Sequence, residues 1–205
     1  MKAFVKTLVF AACLSVLWSC ASSTEKSVEE KLKLAIEQAE QSDEIETDLF
    51  LGFKFGMSDK EVDNYLKQLV KEGKVYLNDT REYQYDYNNK SGITYYINFA
   101  PLYHDDKLYE ITYPIKSSLI PSSGDYIFMA SDFIRSERGT QFRLHITEDI
   151  LGEAVYTCIK DNLVVEFKNT STSVLKYINA PVERIVSDLK ALENQERAKE
   201  SSSEF

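Results

Sequence analysis

Few side chains in this 205-residue chain could do chemistry: three cysteines, two histidines, and thirteen tyrosines of which eight lie between Tyr83 and Tyr113. Cys13 and Cys20 belong to the apolar N-terminal stretch, which leaves Cys158 in "AVYTCIKDN" as the one thiol in the body of the chain. A nucleophilic thiol needs a nearby base and an electropositive setting. A small buried hydrophobe in a strand is the reading its neighbours favour. His104 in "YHDDK" adjoins two carboxylates, but a metal site would need a second His or a third converging acid, so it reads as a hairpin turn. His145 falls on the polar side of "FRLHIT" and reads as a solvated histidine. The calcium-loop likeness of "DYNNKSG" fails, because Ser91 takes the glycine position and Ile97 the terminal glutamate position. There is no G-x-S-x-G, H-E-x-x-H, C-x-x-C, Walker A or G-x-G-x-x-G. The expectation is a chain with no enzyme activity, metal or cofactor. A site that converges only in the fold, through His104 or His145, is the alternative.

Cys20 is a different case. Lys2 and Lys6 precede an apolar run from Leu8 to Trp18 with one polar residue, Ser15. The run is about half of the ~20 residues needed to cross a bilayer as a helix. A positive start and a short apolar core read as a secretory leader. Its end, Leu17-Trp18-Ser19-Cys20, resembles the lipobox of bacterial lipoproteins. The resemblance implies cleavage between Ser19 and Cys20 and acylation of the Cys20 thiol with two or three chains. It also implies attachment to the lipid bilayer through that residue, since a single chain binds only marginally. Ala21 stands where the inner-membrane retention signal has Asp. The implied location is therefore the outer membrane of the cell envelope, facing the periplasm, with surface display left open.

Loss of residues 1–19 would leave 205 − 19 = 186 residues, and loss of Lys2 and Lys6 would give 22 − 33 = −11 in net charge. An acidic domain is a poor nucleic-acid binder, because phosphate contacts need clustered Lys and Arg. Cys158 would have no disulfide partner within the chain. The only tryptophan, Trp18, would go as well, which weakens a carbohydrate reading.

The elements that must position any site follow from periodicity. Residues 20–27 read as lipidated Cys and tether, 28–193 as an α+β domain and 194–205 as a polar tail. A helical stripe runs through Val28, Leu32, Ala35, Ile36 and Ala39. Leu49 to Phe55 reads as a short extended run. Ser58 and Glu61 have the spacing of a capping box, Met57 and Val62 that of a hydrophobic staple, and Gly73 that of a helix terminator. Period-two strands are predicted at 74–77, 82–87, 93–99 and 107–116, with "PLYHDD" as a link. A helix from Gly124 and strands at 140–147, 153–160, 163–168 and 173–178 follow, with Asp161-Asn162 as a two-residue turn. Pro181 opens a helix with the stripe Val182, Ile185, Val186, Leu189 and Leu192. The element starts repeat at an offset near 66, which suggests antiparallel meanders in two tandem helix-plus-four-strand units, 49–118 and 124–178.

"FKFGMSDKEVDNYL", "YQYDY", "YYINF" and "KLYEITY", within residues 49–115, resemble the BamE-like (SmpA/OmlA) lipoprotein module and the related β-lactamase-inhibitor-protein fold. The resemblance covers about a third of the chain. The family's Leu-Gly-x-Pro after the helix is replaced here by "LVKEGKV". Such modules bind other proteins and have no chemistry of their own. Tyrosine suits interfaces, having large area and a polar tip. Tyr83, Tyr96 and Tyr103 fall off the tyrosine stripe or at its ends and are the candidate binding surface. The predicted function is a membrane-anchored protein-binding or scaffold module with an envelope protein as partner. A binder of a small or lipidic ligand is the second reading, and an envelope enzyme the third.

Overall fold

The computed structural model describes residues 26–47, 49–88, 92–118, 143–148, 154–168 and 173–203. Among them are three α-helices, α1 (Val28–Glu40), α2 (Asp59–Lys71) and α3 (Ala180–Ser203). The strands are β1 (Tyr76–Leu77), β2 (Tyr83–Asn88), β3 (Thr94–Asn98), β4 (Ala100–His104) and β5 (Lys107–Ser117), then β6 (Arg143–Glu148), β7 (Ala154–Lys160), β8 (Leu163–Lys168) and β9 (Ser173–Asn179). All nine form one antiparallel sheet in the order β1-β2-β3-β5-β9-β8-β7-β6, with β4 also on β5. The architecture is α+β and dominated by this sheet. The two halves share it, rather than each closing a sheet of its own, because the last strand of each, β5 and β9, pair from Glu110↔Ile178 to Ile115↔Ser173.

The helix at 59–71 forms as its sequence dictates. The Ser58 amide donates to Glu61 Oε2 at 2.7 Å and the Glu61 amide to Ser58 Oγ at 3.3 Å. These bonds satisfy two donors that the first helical turn leaves without partners. Val62, Leu66 and Leu69 face the sheet, and Gly73 ends the helix at φ 71°. Ser27 and Glu30 build a second capping box at α1, which the apolar stripe alone does not reveal.

One face of the sheet carries the main core. Tyr95, Ile97, Ile111, Tyr113 and Ile115 are buried there with Val165, Phe167, Leu175 and Tyr177 of the second half. Phe53 lies edge-on to Tyr65 at 5.2 Å, and Tyr113 edge-on to Tyr177 at 5.6 Å. The other face carries a smaller core in which Ala39 of α1 and Ala180 of α3 meet Val164, with Ile159 and Ile178 beside them.

Several expectations are corrected. Leu49–Phe55 is not extended: a 3-10 turn spans Phe50–Gly52, with positive φ at Leu51 and Gly52. The reversal sends Leu49, Phe50, Phe53 and Phe55 all into the core, where a strand would have turned Phe50 to the face opposite the other three. The Tyr65 hydroxyl donates to the Leu51 carbonyl at 2.8 Å and fastens the turn. "PLYHDD" is no mere link, since Pro101–His104 belong to β4 and only Asp105-Asp106 turn, both at positive φ. The break between β3 and β4 lies opposite Pro114. The registers Ile97↔Ile115 and Ala100↔Thr112 place Asn98 across from a residue with no N–H to give. His145 is buried, 6 % exposed, because α1 packs on its side of β6 and β7. The last helix continues through the polar stretch to Ser203, where Arg197 and Glu193 form an i,i+4 pair. The strands expected at 153–160, 163–168 and 173–178 form with near-identical bounds, and Asp161 takes the left-handed conformation of their turn. The helix expected from Gly124 and the processing site Ser19–Cys20 lie outside the described residues.

Candidate functional site

The three candidate tyrosines are not brought together. Tyr83 projects from β2 toward α2, where its hydroxyl donates to Asp63 Oδ1 at 3.4 Å. Tyr103 of β4 packs on the main core, close to Asp59 and Asp63. Burial first, then those carboxylates, hold its hydroxyl well above the usual tyrosine range. Both rings serve the packing of α2. Tyr96 alone points the other way, onto the face that no described helix covers over β1, β2 and β3.

That face is built from the alternate residues of the Tyr-rich strands. Strand register sets two rows across it. In the first, Tyr76 of β1 stands opposite Gln84 of β2, and Gln84 opposite Asn98 of β3. In the second, Asp86 stands opposite Tyr96, and Tyr96 opposite Lys116 of β5. The rows are cross-linked. Tyr76 donates its hydroxyl to Asp86 Oδ1 at 2.8 Å, and Gln84 Nε2 donates to the same oxygen at 3.0 Å and to the Tyr76 hydroxyl. Asn78 Nδ2 donates to Gln84 Oε1 at 3.3 Å, and Asn98 Nδ2 to Glu82 Oε2 at 2.9 Å. Loss of water, followed by the Asp86 carboxylate, pushes the Tyr76 hydroxyl up to about 12. The Tyr96 hydroxyl and the Lys116 ammonium have no hydrogen-bond partner among the described residues. The rows enclose an open hollow of about 270 Å³.

A second open region lies on the helices of the same side. Ile185, Leu189 and Leu192 of α3 are 50 %, 46 % and 57 % exposed. Their spacing of i, i+4 and i+7 gathers them into one stripe. Of the apolar stripe of this helix, Val182 and Val186, at the start of α3, are partly covered. Asp188 and Glu193 flank it, both exposed. Beside it a groove of about 480 Å³ runs between α1 and β6, floored by Leu32 and Ile36 and rimmed by Glu29, Glu37, Glu40 and Glu148.

The remaining reactive groups are dispersed. Cys158 is 4 % exposed and its thiol is pushed up to about 11 by burial, as befits a packing residue. His104 Nε2 lies 3.7 Å from Asp105 at the β4 turn, whereas His145 is buried in β6 opposite Thr157. Among the described residues no three His, Cys, Asp or Glu side chains are grouped to hold a metal ion. Also among them, no helix is long and apolar enough to cross a membrane. Sequence reasoning missed Tyr76, Gln84, Asp86, Asn98 and Lys116. Gln84, Asp86 and Asn98 are the polar half of the alternation whose apolar half defined the strands. Tested against models of protein families, curated proteins and solved structures, the chain matches none.

Proposed function

We propose that this protein is a lipid-anchored, non-enzymatic module of the bacterial cell envelope that binds a partner protein. Its acylated Cys20 holds it to the outer membrane on the periplasmic side, and the apolar stripe of α3 docks in the partner. The stripe of Ile185, Leu189 and Leu192 carries the reading. Three large side chains at helical spacing, left in water, are the signature of a helix that completes its burial in another protein's groove. Asp188 and Glu193 at its edges suit a groove with a basic rim. Kinship with the BamE-like module belongs to the same proposal. It is supported by Gly56-Met57-Ser58 leading into a capped helix laid on a Tyr-rich sheet. The tandem organisation is supported by the mirrored strand order, β1-β2-β3-β5 meeting β9-β8-β7-β6. The 3-10 turn at Phe50–Gly52, where the module has a strand, is the point of departure.

A photo-crosslinking residue at position 189, in the protein at native expression in its own host, tests the reading. A discrete adduct with one envelope protein is expected, with none from the control position Ala191. Failure to form any adduct from 189, or equal adducts from both positions, would exclude α3 as the docking element.

A second reading, a binder of a small apolar ligand, draws on the groove over Leu32 and Ile36. Native mass spectrometry of protein purified from its host would reveal a retained adduct. A clean apo mass removes that reading.

A further inference from the structure

We propose that the two polar rows, on the part of the sheet face that no described helix covers, form a binding site for a neutral glycan. The site is independent of the α3 stripe and does not rest on the docking of a partner protein. It is made of Tyr76, Gln84, Asn98, Asp86, Tyr96 and Lys116.

The balance of charge selects the ligand class. Among the described residues Lys116 is the one cation lining the hollow, against Asp79 in the same lining and Asp86 behind it, bonded to Tyr76. A phosphate or a carboxylate would need clustered cations, and a polyamine clustered acids. Neither is present among the described residues of the lining. A lipid tail or a protein's apolar anchor would need aliphatic walls, and the described residues of the lining include no aliphatic side chain. What it offers is the Asn98 amide, which both donates and accepts and has one N–H engaged, on Glu82, and tyrosines, which add a hydroxyl to a flat apolar ring. A sugar hydroxyl also donates and accepts at once. Its ring carries apolar C–H faces that lie against an aromatic ring. The chemistry of the hollow and of a saccharide therefore match group for group.

The site is also built in advance. Tyr76 and Gln84 are both held on Asp86 Oδ1, and Asn78 holds the far end of Gln84. Side chains already fixed lose little freedom when a ligand arrives. The groups left over, the Tyr96 hydroxyl and the Lys116 ammonium, stand side by side in the second row and are the ones that a ligand can engage. The absence of tryptophan from the body of the chain is offset by two tyrosines, one in each row.

Titration calorimetry of the full chain in detergent tests this, with the tetramer of N-acetylglucosamine as probe. Inorganic phosphate and spermidine serve as charged comparisons. Saturable binding of the tetramer is expected, unchanged within about twofold between low and high salt because no ion pair drives it. Tyr96→Ala should weaken it about tenfold or more, and Tyr96→Phe, which keeps the ring and the fold, by several-fold. Leu189→Lys in α3 should leave it unchanged, which separates this site from the docking stripe. No binding of the tetramer or of a maltotetraose control to folded protein would overturn the proposal. So would preference for phosphate or spermidine, or binding unaffected by Tyr96→Ala.

Discussion

The two halves of the sheet use the same face in opposite ways. Over β7, β8 and β9, that face is closed by α1 and α3, and Ala39, Val164 and Ala180 meet in a small dry core. Over β1, β2 and β3 it carries Gln84, Asp86, Tyr96 and Asn98, and among the described residues no helix. Between them Glu110 of β5, nearly buried, pairs with Lys176 of β9 at 3.5 Å and accepts from the Thr112 hydroxyl at 2.8 Å. The same strand alternation thus produced a wall in one half and an open surface in the other. The contrast lies in the side chains offered to that face. Aliphatic positions such as Val164 and Ile178 recruit a helix, and amides satisfied by one another do not.

The comparison breaks most sharply through the shared core. Phe53→Ala and Phe167→Ala remove fully buried rings, one from each half, and each should cost about 3–5 kcal/mol. Urea unfolding followed by far-UV circular dichroism should show one transition for both variants. Two separable transitions would mean that the halves are independent units. Asn162→Ala comes next. Asn162 is buried, its Oδ1 accepts the Glu46 amide at 2.5 Å, and its carbonyl accepts the Ala180 amide at 2.9 Å. Loss of the side chain leaves a donor without a partner and should cost roughly 1–3 kcal/mol. Ser58→Ala removes one member of the capping box of α2 and should cost about 1 kcal/mol. Glu61 is held below the ordinary carboxylate range by the Ser58 amide and hydroxyl. The stabilisation it gives is present while it is ionised and is lost as pH falls through that lowered range. Amide exchange at Ser58, corrected for its intrinsic pH dependence, should therefore accelerate in acid, and pH-independent protection would discount the bond. The smallest effect belongs to the open stripe. Leu189→Ser should change stability by no more than about 0.5 kcal/mol, since the side chain is half in water already. A larger loss would place α3 in the core of the isolated protein and remove the reason to assign it a partner.

What the sequence made legible follows from how local each signal is. The Ser58–Glu61 box, the Asp161-Asn162 turn and the strands read at 153–160, 163–168 and 173–178 depend on neighbours within a few residues, and these form as read within a residue. The 3-10 turn at Phe50–Gly52 was not legible, because seven largely apolar residues suit an extended run as well as a reversal. β4 was hidden by Pro101 and by two aspartates in its turn. The fates of His145 and of the α3 stripe depend on which face α1 chooses, and no local period records that choice. Of the candidate site only Tyr96 was found. Tyr83 and Tyr103 looked equivalent to it in the pattern, but α2 claims their side of the sheet. Tyr76 comes from a two-residue strand too short to announce itself.

The clasp at Asn162 has a consequence for how the molecule is made. Glu46 is tied to Asn162 and, through its carboxylate, to Lys160 at 2.8 Å, across more than a hundred residues of chain. α1, just before it, rests on β6, β7, β8 and α3. The described elements on which α1 chiefly rests are therefore synthesised in the last third of the protein. In a chain that emerges N-terminus first, α1 is made early and seated late.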